Sequence, residues 1–130
     1  MGETATSATI VLIVEDEPLV QAMAVDIIEG AGFPVLTVGS AEQAMAVLER
    51  EAGVGILFSD VQMPGMMNGK QLAREASRRW PHLRIILTSG YAADGLGDIP
   101  VGAAFLAKPY RAEALERSLL LLAAPTAERK

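Results

Sequence analysis

Groups capable of chemistry stand at the ends of short apolar runs in this chain. Glu15-Asp16-Glu17 follows TIVLIV (Thr9–Val14), and Asp60 follows the apolar part of GILFSDVQMPG (Gly55–Gly65). Thr88-Ser89 closes RIILTS (Arg84–Ser89), and Lys108-Pro109 follows AAFLA (Ala103–Ala107). Carboxylates, a hydroxyl and an amine are the parts needed to bind a phosphoryl group. A carboxylate can act as a nucleophile to give an aspartyl phosphate. An amine and a metal can neutralise the charge on the transferring group, while a hydroxyl bonds one of its oxygens. Each signal alone has a plainer explanation. An acid pair before Pro18 suits a helix N-terminus, and Asp60 before Pro64-Gly65 suits a turn. The chemistry requires that folding bring them to one place.

The elements between these groups decide whether it does. The run Thr9–Val14 is β-branched and apolar without alternation, the pattern of a strand covered on both faces. Pro18 opens a helix with Val20, Ala24, Ile27 and Ile28 on one side, stopped by Gly30 and Gly32. A second strand is expected over Pro34–Val38. Ser40 and Gln43 form a capping-box pattern for a helix that turns Ala44, Val47 and Leu48 inward. A third strand follows at Val54–Ser59, then a helix capped by Asn68 with Leu72, Ala73 and Ala76 inward, ending near Trp80-Pro81. The fourth and fifth strands are Arg84–Ser89 and Ala103–Ala107, and a final helix is expected from about Arg111 to Ala124. Between those two strands Gly95, Gly97 and Pro100 imply a helix that is short, distorted or mobile.

Alternation of strand and helix with short connections implies a doubly wound parallel α/β sheet with right-handed crossovers. In such a sheet ligands bind beyond the carboxyl ends of the strands, where neighbouring connections leave to opposite faces. For the order 2-1-3-4-5 that point lies between the first and third strands, so Glu15 and Asp16 arrive beside Asp60. Like charges about 4 Å apart repel by about 4 kcal/mol at an effective dielectric near 20. A cation is therefore expected, and an all-oxygen, partly hydrated site suits Mg²⁺ better than Ca²⁺.

Composition excludes several other classes. With 130 residues and 51% hydrophobic content the chain is the size of one domain with a sizeable core. It has no cysteine, which removes disulfides, thiolate zinc sites and cysteine nucleophiles. MGETATSA lacks the features of a secretory signal, and the longest apolar run, Leu119–Ala124, is too short to span a bilayer. A net charge of −5 argues against a direct nucleic-acid partner, with Arg74, Arg78, Arg79 and Arg84 read as a solvated helix surface. A cytoplasmic protein is expected, with a tail over 1–8, one domain over 9–124 and a second tail over 125–130.

VLIVEDEP, FSDVQMPG with the following NG, ILTSGYA and FLAKPY occur here in an order and spacing that resembles the receiver domain of two-component response regulators, of the chemotaxis-regulator type. The resemblance spans about Thr9 to Ala123. It implies a flavodoxin-like receiver fold and a phosphoacceptor switch, with self-catalysed phosphorylation and dephosphorylation rather than enzymatic turnover. Carried over position by position, Asp60 resembles the phosphoacceptor. Asp16 resembles a direct Mg²⁺ ligand, Glu15 a ligand through water, and the Gln62 backbone carbonyl a further one. Ser89 resembles the switch hydroxyl ahead of Thr88, and Lys108 the partner of the phosphoryl oxygen. Phe105 stands where the family places an aromatic rotamer switch, and the Lys108–Pro109 bond is expected to be cis. The implied partners are a histidine kinase or phosphotransfer protein and a downstream protein. The latter would be reached through the helix after the fourth strand, the fifth strand and the final helix.

Departures from the pattern are confined. The loop PGMMNG is one residue longer than the commonest form. In the final helix Leu115, Leu119 and Leu122 suffice for a core stripe, leaving Leu120 and Leu121 as candidates for a partner or homodimer surface. Among rivals, a flavin-binding module shares the topology, but Glu15-Asp16-Glu17 would repel its phosphate. A phosphatase with an aspartyl nucleophile usually has a second acid two residues on, where this chain has Gln62. A phosphorylation-independent binding shell would not need the full set of acids with Lys108. The sequence shows no output domain, which leaves a stand-alone regulator and a receiver from a longer hybrid kinase both open.

Overall fold

In the computed structural model residues 9–90 and 99–123 are described. The strands are β1 (Ile10–Val14), β2 (Val35–Val38), β3 (Val54–Asp60), β4 (Arg84–Ser89) and β5 (Ala104–Ala107). Among the described residues the helices are α1 (Pro18–Gly30), α2 (Ala41–Arg50), α3 (Gly69–Arg79) and α4 (Ala112–Ala123). The sheet is parallel throughout with order β2-β1-β3-β4-β5, as the alternating pattern requires. The expected irregular helix falls largely on 91–98, and the expected tails on 1–8 and 125–130, outside the described residues.

Burial on both faces explains why the strands show no alternation. Leu12, Val14, Leu57, Ile85 and Leu87 pack with α2 and α3 through Ala44, Leu48, Leu72 and Ala76. Val11, Ile13, Ile56, Phe58 and Ile86 face the other way, onto Ala24, Ile28, Leu115 and Leu119 of α1 and α4. Consecutive residues of one strand thus serve two cores. Leu120 and Leu121, beyond the α4 core stripe, are 54% and 65% exposed.

Local chemistry fixes the helix starts. Pro18 occupies the first turn of α1, where its missing N–H costs nothing. The Ser40 side chain accepts from Gln43 N–H at the start of α2. Asn68 and Gln71 complete a reciprocal capping box at α3, with bonds of 2.9 and 2.8 Å.

One boundary differs from expectation in a way that bears on the site. Asp60 is the last residue of β3 rather than the first of the loop, because the ladder to β4 continues: Asp60 pairs with Thr88, and Val61 N–H donates to Thr88 O at 2.8 Å. The β4 ladder therefore holds the Asp60 backbone, while the β1 ladder ends one residue earlier at Ser59. The chain then loops out and returns closely: Gly69 N–H donates to Val61 O at 2.8 Å. A Cβ on Gly69 would overlap the Asp60 carbonyl oxygen and lie 2.7 Å from Val61 Cα. The atoms it would strike are backbone in a buried strand, so they cannot step aside cheaply. Gly69→Ala is expected to destabilise the fold by about 1–3 kcal/mol, read as a lowered urea midpoint; an unchanged midpoint would show that β3 yields freely at Asp60.

Candidate functional site

The edge formed by the carboxyl ends of β1, β3, β4 and β5 collects most of the groups singled out from the sequence. Glu15 leaves β1 and is buried, as is Asp60 at the end of β3; Asp16 is exposed beside them. One carboxylate oxygen from each of Glu15, Asp16 and Asp60 lies within 4.8 Å of the others. Lys108, delivered by β5, reaches Asp60 Oδ2 with its Nζ at 2.9 Å and Glu15 Oε1 at 3.3 Å. The Lys108–Pro109 peptide is cis.

Further bonds hold this arrangement. Glu17 N–H donates to Glu15 Oε2 at 3.1 Å, and Gln62 N–H donates to Asp60 Oδ1 at 3.2 Å. Lys108 N–H donates to Ser89 O at 2.9 Å, tying the two strand ends together. Ser89 is fully buried at the end of β4, and Thr88 Oγ1 is buried with no hydrogen-bond partner among the described residues. Phe105 lies in β5 in register with Leu87, half-buried against the α2–α3 core.

Two contributors carry no local sequence signature. Gln21 of α1 donates from its side-chain amide to Glu15 O at 3.1 Å and Val38 O at 3.3 Å, clasping the turn after β1 to the end of β2. Tyr110 packs edge-on to Phe58, with ring centroids 5.8 Å apart, and closes the α1–α4 side beneath the acids. Its position just after Lys-Pro was a hint, but no periodicity assigned it a contact. Burial raises the Tyr110 hydroxyl above its ordinary value, against the opposing charge of Lys108.

The electrostatics show which way the site is unbalanced. Burial pushes the Glu15 carboxyl up; the Glu17 amide opposes this, Asp60 adds to it, and Lys108 opposes it, with a net rise. Burial alone would lower the Lys108 ammonium, but the hydrogen bond and charge of Asp60, reinforced by Glu15, leave it above the ordinary lysine value. Of the three carboxylates, Glu15 and Asp60 share one amine. Their hard oxygen donors fit a divalent cation such as Mg²⁺, which would meet two carboxylates already stripped of most of their water.

Residues 11–120 match the response regulator receiver domain family, and the chain belongs to that family. Response regulator protein FleR of Pseudomonas aeruginosa is 40% identical over 108 residues, covering 81% of this chain and 22% of FleR. Sensor kinase CckA of Brucella abortus is 39% identical, over 80% of this chain and 11% of CckA. The chain thus spans about a fifth and a tenth of the length of these two relatives. Response regulator protein TrrA of Thermotoga maritima, solved in complex with Mg(2+)-BeF, superposes with a TM-score of 0.79 at 21% identity. That match covers 88% of this chain and 98% of TrrA, and establishes the shared fold. No helix among the described residues is long and apolar enough to cross a membrane.

The raised Glu15 value carries a sign. Its ionised form is disfavoured in the fold, so the cost is absent below the unfolded value of 4.5 and fully developed above the raised folded value. Glu15→Gln is therefore expected to raise the metal-free melting temperature at pH 7, by about 3 °C or more. The advantage should shrink as pH falls toward 4. A variant equally stabilised at both pH values would show that packing, not charge, is responsible.

Proposed function

We propose that this chain is a phosphoacceptor switch of a two-component system, with Asp60 as the acceptor. The observation that carries the reading is the Asp60 carboxylate held 2.9 Å from Lys108 Nζ, inside a cluster with Glu15 and Asp16. The donor is a phosphohistidine on a histidine kinase or phosphotransfer protein in the cytoplasm. A carboxylate oxygen of Asp60 attacks the phosphorus in line; the O–P bond forms as the P–N bond breaks, and the imidazole nitrogen keeps the electron pair. Strand pairing on β3 and the Gln62 amide on Oδ1 keep the nucleophile's orientation fixed, so little entropy remains to be lost at the moment of transfer.

Glu15, Asp16, Asp60 and the Gln62 backbone carbonyl would hold Mg²⁺, which when bound supplies charge neutralisation for the phosphoryl oxygens. Lys108 keeps its proton through the reaction, as its raised value requires, and follows the negative charge from the carboxylate to the new phosphoryl group. The Ser89 hydroxyl bonds a second phosphoryl oxygen. Because Ser89 and Lys108 end adjacent strands, new contacts from both favour a changed arrangement of β4 and β5, with Phe105 in its path. That change alters binding of a downstream protein. Water later cleaves the acyl phosphate, restoring the carboxylate and releasing inorganic phosphate.

Intact-mass measurement after incubation with acetyl phosphate and Mg²⁺ tests the assignment. One phosphoryl adduct is expected on the wild-type chain and none on Asp60→Asn. Equal labelling of both would move the acceptor elsewhere.

A further inference from the structure

We propose that Glu42 positions the loop between β3 and α3, and through it sets how tightly the acidic site holds a divalent cation. The inference rests on the reading of Glu15, Asp16, Asp60 and the Gln62 carbonyl as metal ligands. It concerns a residue on another helix that touches none of them.

The loop is firmly held at its ends. Val61 is tied to β4, Gly69 closes back onto Val61, and the side chains of Met63 and Met67 pack against the α2–α3 core. Among the described residues its tip has no such support. Pro64 and Gly65 are exposed, and Met66 is 95% exposed, so no burial energy orders this stretch. What reaches the tip from elsewhere in the fold is the Glu42 carboxylate, whose Oε2 accepts from Met66 N–H at 3.1 Å.

An acid in the first turn of a helix is ordinarily explained by the helix dipole. Gly65 gives a second, independent sign that Glu42 is fitted to the loop. Its φ is +100°, and a Cβ there would come within 2.9 Å of Glu42 Oε1 and 3.3 Å of Oε2. Gly65 thus makes both the backbone turn and the room for the carboxylate. Glu42 in turn is rigidly mounted, because buried Ala41 and Ala44 flank it on α2 and Ser40 caps the helix.

The mechanical consequence follows from the short chain path. Gln62 is separated from the Met66 anchor by Met63, Pro64 and Gly65, and Pro64 has a fixed φ. Releasing the tip removes the second anchor of this segment and leaves the Gln62 carbonyl held by the Gln62 amide bond and the Met63 packing alone, and a ligand oxygen held less closely than about 0.5 Å weakens a preorganised site. Glu42 is a positioning residue in this sense.

The test uses the full chain as wild type, Glu42→Ala, Glu42→Gln, Gly65→Ala and Asp16→Asn, with Mg²⁺ itself as the probe. Two quantities are read by NMR: exchange of the Met66 amide without metal, and the Mg²⁺ titration of backbone amides. In Glu42→Ala, Met66 exchange is expected to quicken and the Mg²⁺ Kd to rise about three- to fivefold, the scale of one partly solvated hydrogen bond. Glu42→Gln keeps an acceptor oxygen and should recover most of both effects. Gly65→Ala, which displaces the carboxylate from the opposite side, should act in the same direction as Glu42→Ala. Faster Met66 exchange with an unchanged Kd overturns the proposal, as does no change in either. If Asp16→Asn loses Mg²⁺ and Glu42→Ala does not, Glu42 alone is wrong. If the wild type shows no saturable Mg²⁺ binding, the metal reading fails and this proposal with it.

Discussion

Two buried carboxylates facing one amine set the terms for the rest of this molecule. Glu15 and Asp60 are both less than a tenth exposed, and both lean on Lys108. Removing a charge from water is expensive, and a partner repays the cost only when geometry is well kept. The fold keeps it by burying the strands on both faces. Phe58 and Ser59 are buried and the β4 ladder extends to Asp60, while the Gln62 amide holds the carboxylate that faces the lysine. Even so, the acids outnumber the amine, and the surplus is negative. That surplus suits a cation, and on the proposed reading a bound cation would in turn make the site receptive to a phosphoryl group.

The period of the strands divides the site between the two cores. Ile13, Phe58, Ile86 and Leu106 belong to the α1–α4 side, and two residues beyond each stand Glu15, Asp60, Thr88 and Lys108. Tyr110 packs against Phe58 on that side, so the acids and the lysine rest on an aromatic floor. Leu87 and Phe105 belong to the α2–α3 side, and Ser89 follows them by parity. On the proposed reading, the hydroxyl comes from the last residue of β4 and the amine from the residue after β5. A group bound between them would join the ends of two adjacent strands.

Most of the framework was legible because it is written in local patterns. Uninterrupted apolar runs meant doubly covered strands, Ser40 with Gln43 and the cap at Asn68 meant helix starts, and parallel order then placed the strand ends at one edge. The expected inward residues of α2 and α3 are buried. Legibility failed where a contact joins distant residues through side-chain geometry. The inclusion of Asp60 in β3 depends on how far β4 runs alongside. The Gln21 clasp, the Tyr110 floor and the bond from Met66 to Glu42 each join residues whose types are common and whose spacing carries no period. The acids could be read because charge beside an apolar run is conspicuous; a glutamine or tyrosine doing structural work beside them is not.

The same reasoning separates what is rigid at this edge from what can respond. Asp60 and the end of β4 are locked by paired backbone, whereas Lys108 is held mainly by its charge. An ammonium on a four-carbon stem follows negative charge wherever it moves within reach. On the proposed reading, transfer to Asp60 moves that charge outward by the length of a phosphoryl group, while the Asp60 backbone stays fixed. The strain of following it falls on β5, whose visible tie to β4 at this end is the Lys108 amide on Ser89 O. β5 is also a sheet edge, and its four residues are not fully buried. A strand paired on one side only is thus the one asked to report the charge. On that reading the response falls on the β5 side, with β1 and β3 as the fixed frame against which it is measured.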